Sequence, residues 1–270
     1  ITFSFLILMI IIFNFLLLYL KENDFAPKEK EHKKLQNTLF KNFKYSSYFS
    51  TFFLWTSSTL IGPVVAFFKK NGLSIGIWLI AFIFLFKIGE AFLGRMSLIF
   101  YKEIGFSKSD IGLFSKGIGW ITTVVFTLLG GIFTIKIGLL RAVFVSGILM
   151  ALTNILFSFL YWDASVIDEN GKNYILFSIA VILDDIAAAF ATVSFVAFIS
   201  LLVDRTYTAT QYALLASIGT AGRTTLASSS GALVDWLNGD WGTFFIITAI
   251  MVIPSLIFLY LIKDKIKING

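Results

Sequence analysis

Ile75-Gly-Ile-Trp-Leu-Ile-Ala-Phe-Ile-Phe-Leu-Phe-Lys87-Ile-Gly-Glu90-Ala-Phe-Leu-Gly-Arg95-Met-Ser-Leu-Ile-Phe-Tyr101 decides the fold. The run exceeds the roughly 20 apolar residues needed to cross a ~30 Å hydrocarbon core. It is apolar on every side, so an amphipathic surface helix of a soluble domain is excluded. Two of its three charged residues, Lys87 and Glu90, fall in the middle, where an ionisable group costs about 2.5–3.5 kcal/mol to insert.

Similar runs recur along the chain: Ile1 to Leu20, Ile111 to Ile135, Leu139 to Tyr161, Tyr174 to Val203, Gln211 to Val234 and Trp241 to Ile262. With Ile75 to Tyr101 they make seven expected spans. The first lacks a basic start and a small-residue cleavage site, so it does not read as a signal peptide. Because it begins at Ile1, inside the run and without Met, the chain is expected to be a fragment. Composition agrees with a membrane protein: of 270 residues, 57% are hydrophobic and 14% charged, against about 25% charged in soluble domains. The 31 Phe and mean hydropathy of +0.87 point the same way.

Lys21 to Lys44 holds seven Lys against four acidic residues, includes Pro27 and has no apolar period, so it reads as a solvated loop. Tyr45 to Phe68 is apolar at its ends but interrupted by Thr56, Ser57, Ser58, Thr59, Gly62 and Pro63. Basic residues decide its placement. If it does not span, fifteen Lys and Arg lie on one side of the membrane and four on the other, with three inside the spans. Such a bias marks the cytoplasmic side. The segment is therefore expected to be an interfacial or re-entrant helix, with Ile1 outside and Gly270 inside. The expected organisation is a transmembrane helix at 1–20, a cytoplasmic loop at 21–74 containing that helix, a six-helix domain at 75–262 and a cytoplasmic tail at 263–270. Trp78, Trp162, Trp236 and Trp241 fall near expected helix ends, where an indole can sit half wet; Trp120 has no such explanation.

Several function classes are excluded. The absence of Cys removes disulfides, thiol nucleophiles and thiolate metal sites. His32, the single His, lies in a charged run, so no His-based catalytic or metal site is available within the membrane. No cofactor is expected. The net charge of +6 reads as an orientation signal rather than a nucleic-acid footprint.

Five ionisable residues are placed near mid-depth: Lys87, Glu90, Asp184, Asp185 and Arg223. Lys87 and Glu90 share a helix face. Asp184 and Asp185, being adjacent, point about 100° apart, which argues against a shared-proton dyad. One reading is a polar cavity with Glu90, Asp184 or Asp185 as proton carriers and Lys87, Arg223 and Lys116 as anchors for an anionic substrate. The other is a set of structural ion pairs. Lys116 also fits an interfacial anchor, and Arg95 fits snorkelling. Gly130-Gly131, with Lys136, Gly138 and Arg141, reads as a close helix approach and tight turn, and Ser228-Ser-Ser-Gly231 as close packing. Phe106 to Phe114 and Tyr207 to Leu215 echo one another, each with a hydroxyl cap and a carboxylate or amide three residues on. Three spans separate them, as in an inverted repeat.

The segments Phe86-Lys-Ile-Gly-Glu-Ala-Phe92, Gly105-Phe-Ser-Lys-Ser-Asp-Ile-Gly112, Gly130-Gly131, Phe195-Val-Ala-Phe198, Thr208-Ala-Thr-Gln-Tyr-Ala-Leu-Leu215 and Gly222-Arg223 resemble the AmpG-type muropeptide permeases of the major facilitator superfamily. The resemblance covers about Ile75 to Ile262. It implies an all-α membrane protein, the carboxy-terminal six-helix bundle with a 3+3 inverted repeat, preceded by one helix of an amino-terminal half not included in this chain. It further implies import of anhydromuropeptides across the bacterial inner membrane in symport with protons, for cell-wall recycling. Its partners would be lipid, an anionic muropeptide and the other half, and it would not be an enzyme. Glu90 departs from the family's common Asp, and Asp184-Asp185 from a Glu-Asn pair. The alternatives are an acetyl-coenzyme A or other large-anion transporter of the same superfamily, a membrane-embedded transferase working through the acidic Asp163 to Asn173 loop, and a structural or sensory membrane module.

Overall fold

The computed structural model describes residues 62–166, 173–204 and 207–266. The expected helix at 1–20, the loop at 21–44, the start of the 45–68 segment, most of the outer loop and the end of the tail lie outside them. The chain divides into two units, Ile1–Ser58 and Thr59–Gly270. Only the second contains described residues.

That unit is all-helical among the described residues: α1 Gly62–Asn71, α2 Leu73–Leu85, α3 Ile88–Glu103, α4 Lys108–Ile111, a π-helix π1 Gly112–Ile118, α5 Gly119–Ile137, α6 Leu139–Val166, α7 Tyr174–Leu202, α8 Thr208–Ala227, α9 Ser230–Trp236, α10 Trp241–Ile250 and α11 Ile253–Ile262. Five helical stretches are long and apolar enough to cross a membrane: Leu73–Glu103, Lys108–Ile137, Leu139–Ala164, Tyr174–Leu202 and Trp241–Ile262. This is an all-α membrane fold. The expected span from Gln211 to Val234 is absent from that set. It is helical, but its Ser, Thr and Gly content lowers its hydropathy, and it breaks at Ser228-Ser229. The helix ends among these serines: Ser228 and Ser229 are exposed and their hydroxyls donate to the Thr225 and Leu226 carbonyls, while Ser230 is fully buried, as close packing requires.

Local chemistry sets the other boundaries. Ser107 and Asp110 form a reciprocal capping box that starts α4. Its expected counterpart does not recur. The cap of α8 is Tyr207, the Thr208 hydroxyl donates back to the Asp204 carbonyl, and Gln211 turns away to other backbone groups. Gly138, at φ 86°, is the whole turn between α5 and α6, in a left-handed conformation that favours Gly. Pro254 lacks the N–H that would reach the Ile250 carbonyl, and the last span breaks there into α10 and α11. Gly130 packs against Phe190, whereas Gly131 meets open space.

The helix α7 packs on α5 and α6, α10 on α3 and α6, and α2 lies between α8 and α11. These contacts enclose two apolar cores. One holds Leu79, Phe82, Phe86, Met150, Ala187, Phe198, Leu215 and Val252; the other holds Ile88, Phe92, Phe157, Val181, Ala227, Trp241 and Phe245. Trp241 is therefore not a half-wet boundary residue. It is 1% exposed and packs against Phe100, Phe244 and Phe245, while Trp78, Trp162 and Trp236 do remain exposed.

Candidate functional site

The two cores are separated by a polar layer. Along α2–α3 the boundary falls between Phe86 and Ile88, at Lys87; along α6 between Met150 and Phe157, at Thr153 and Asn154; along α7 between Val181 and Ala187, at Asp184 and Asp185; and along α8 between Leu215 and Ala227, at Gly222 and Arg223. Thr248 of α10 joins them. Apolar side chains above and below each polar position flank it, and Lys87, Thr153, Asn154, Asp184, Asp185 and Thr248 all fall within the long apolar stretches.

The first span is broken at this layer. Lys87, near the middle of the 31-residue stretch, has φ −99° and ψ 16°, far from helical values, and separates α2 from α3. Its ammonium lies 2.8 Å from Glu90 Oε2 and donates to Glu90 Oε1 at 3.1 Å and to Thr192 Oγ1 at 2.7 Å. The Oε2 contact is an ion-pair approach without hydrogen-bond geometry. Because Lys can only donate, Thr192 Oγ1 accepts from it while donating its own proton to the Ala188 carbonyl at 2.7 Å. The pair is enclosed, with side-chain exposures of 10% and 18%. Of the charged groups named from sequence, Lys87 and Glu90 are the two brought into direct contact.

Asp184 and Asp185 diverge as adjacent helical residues must. Asp184 accepts from the Thr153 hydroxyl at 3.1 Å and lies within electrostatic range of Glu90, Asp185 and Lys87. Asp185 turns towards the second span. Its Oδ2 is buried without a hydrogen-bond partner, in the space that a side chain on Gly119 would fill. Gly119 opens α5 directly after π1, and the π-helix carries Lys116. Single-turn π segments often occur at functional sites. Lys116 and Arg223 are exposed, and among the described residues neither makes an ion pair within 4 Å.

A Cβ at Gly119 would lie 2.5 Å from Asp185 Oδ2. The atom in its way ends a rotatable side chain, so Gly119→Ala is expected to displace the carboxylate while costing no more than about 1–3 kcal/mol. Thermal unfolding in detergent measures the cost; loss of all folded protein would show that Asp185 has nowhere to move.

Sequence reasoning missed Thr192, Thr153, Asn154 and Thr248. Asn154 donates to Thr248 Oγ1 at 3.1 Å across α6 and α10, both buried. Their signal is weak: single hydroxyls or amides inside apolar helices, as is common for interhelical glue. Only contact across the bundle distinguishes Thr192, which is 105 residues from Lys87, from Ser200, whose hydroxyl serves its own helix.

This architecture, a bundle of membrane-spanning helices with charged groups in a layer between two apolar cores, can be set beside known proteins. The chain is 30% identical over 211 residues to a Rickettsia conorii protein named as transporter AmpG 4, covering 78% of this chain and 48% of the relative. It is 30% identical over 210 residues to the anhydromuropeptide permease of Escherichia coli K12, covering 77% and 40%. It is 29% identical over 229 residues to a Rickettsia prowazekii protein named as transporter AmpG 1, covering 83% and 50%. This chain is a relative of the AmpG-type permeases. It spans about half the length, or less, of the curated relatives it matches. No family model matches it. The relatives are named as transporters and a permease.

Proposed function

We propose that the bundle is the carboxy-terminal half of a secondary transporter that imports anhydromuropeptides across a bacterial inner membrane in symport with protons. The observation that carries this reading is the enclosed Lys87–Glu90 pair, held by Thr192 at a break in the first span and between two apolar cores. Proton arrival at Glu90 removes its charge and frees Lys87 to face an anionic substrate; proton departure restores the pair. Asp184 and Asp185 are further carboxylates to which the proton can pass, and Arg223 and Lys116, both exposed, are anchors for substrate anions. The relatives' names support the substrate class, and their length supports a second half against which this one rocks. The carboxy terminus faces the cytoplasm in this arrangement.

The test is made on the full-length transporter in proteoliposomes with labelled anhydromuropeptide. Glu90→Gln is expected to abolish substrate-driven proton uptake, measured per molecule of variant recovered folded, because the substitution also weakens the fold. Undiminished proton uptake removes Glu90 as carrier. Uptake of acetyl-coenzyme A in preference to the muropeptide overturns the substrate assignment. Expressed alone, this 270-residue chain is expected to insert but not to transport, and co-expression with a matching amino-terminal half is expected to restore uptake.

A further inference from the structure

The stretch Thr208-Ala-Thr-Gln-Tyr-Ala-Leu-Leu215 carries the most specific part of the family resemblance, yet it contributes nothing to the charged layer. Its central residue has another task. Gln211 is 2% exposed. Its Nε2 donates to the Pro63 carbonyl of α1 at 2.8 Å, and its Oε1 accepts from the Asp204 N–H in the connection between α7 and α8. One buried amide thus joins three pieces of chain, and both of its ends are used.

A second fastening lies beside it. Lys70, in the last turn of α1, donates through Nζ to the Leu202 carbonyl at 3.2 Å and the Val203 carbonyl at 2.9 Å. A helix leaves its last carbonyls without intrahelical partners and carries partial negative charge at that end. Lys70 answers both needs of α7. Partial burial lowers its pKa from the ordinary Lys value, against the opposing pull of Asp204. Apolar contact completes the junction: Phe67 is 4% exposed within the first core, Phe68 lies against Gly76, and Val64 and Phe67 line an apolar crevice with Ile80, Leu214 and Ile218. Chain division agrees, since α1 falls in the same compact unit as the bundle.

We propose that α1 is a permanent strap on the transport bundle rather than part of a mobile linker, pinned by Gln211 and Lys70 to the α7–α8 connection so that all three move as one body. An interfacial helix free to slide in the headgroups would not direct two polar fastenings at the ends of transport helices. The strap also gives the chain entering at Gly62 a fixed point of attachment on this bundle.

Hydrogen exchange on the full-length transporter in detergent tests the fastening without requiring transport. In Gln211→Leu, and separately in Lys70→Met, the amides of α1 are expected to exchange ~10-fold faster or more, the scale of one lost buried hydrogen bond, while α5 and α10 are unchanged. Unchanged α1 exchange in both variants overturns the strap. If one variant does not fold, the other decides. The motion is tested by cross-linking. The chain has no native Cys, so Val64→Cys and Leu214→Cys can be joined by a short bifunctional thiol reagent. Uptake of labelled anhydromuropeptide is expected to survive cross-linking at half or more of the unlinked rate; its abolition would mean that α1 must detach. The motion rests on the transport reading, whereas the exchange result stands or falls without it. A protein with fast α1 exchange in these variants and no transport in any form would retain the strap and lose the proposed function.

Discussion

Gly222→Ala is expected to destroy most of the folded protein, whereas Gly131→Ala is expected to be almost silent. A Cβ built at Gly222 overlaps the carbonyl oxygen of Phe84 and stands 2.9 Å from that residue's carbonyl carbon and Cδ2. The obstacle is backbone, which has no rotamer to change. It lies in the turn just before the break at Lys87, so relief would require α8 to move away from α2. Overpacking usually costs about 1–3 kcal/mol, and an immovable obstacle puts this substitution at or beyond the top of that range. Gly131 has nothing within 4 Å of the same hypothetical atom, and Ala is the better helix former by roughly 1 kcal/mol. Thermal unfolding of both variants in one detergent measures the contrast. Equal melting temperatures would mean that α8 does not cross the first span this closely.

Lys87→Met and Glu90→Gln are each expected to destabilise strongly alone and much less together. Removing one partner leaves the other's charge enclosed, at a cost of about 3–5 kcal/mol for a buried pair, whereas replacing both with neutral groups of similar shape is often nearly neutral. Lys87→Met strands the Glu90 carboxylate, which can escape part of the cost by taking up a proton. Glu90→Gln leaves the ammonium with only Thr192 Oγ1 and an amide oxygen. A double-mutant cycle on unfolding free energy should give a coupling larger than the ~3–5 kcal/mol cost of either single substitution. Additive effects would mean that the two side chains are neighbours without being partners. The same coupling is what the proposed transport cycle draws on, because a proton at Glu90 does reversibly what the amide does permanently.

The functional candidates were legible to different degrees. Lys87 and Glu90 could be read as a pair because helical periodicity places residues three apart on one face. That the helix between them would start at a break could not be read, since neither Pro nor Gly marks Phe86-Lys87. The divergence of Asp184 and Asp185 follows from the 100° step of any helix, but their destinations, Thr153 and Gly119, lie on helices distant in sequence. Gln211 was visible as a motif and misread as a helix cap, because local grammar cannot know that Pro63 approaches it from 148 residues away. Trp241 was misread because proximity to a helix end says nothing about what packs over it.

What the sequence alone determined is the solvent and the class of architecture. Runs of some twenty apolar residues are stable as helices in lipid because each satisfies its own backbone, and that requirement is local. The cost of charge at depth is likewise local, so the identities of the candidate residues were determined with it. Tertiary structure decided which of those charges meet. Ion pairing at Lys87, an unpartnered oxygen at Asp185, and exposed cations at Lys116 and Arg223 arise from the side chains that the packed helices bring to one layer. Between packed helices a shift of one residue turns a side chain by about 100°, so pairing within the layer depends on register across the bundle, which no stretch of sequence carries by itself.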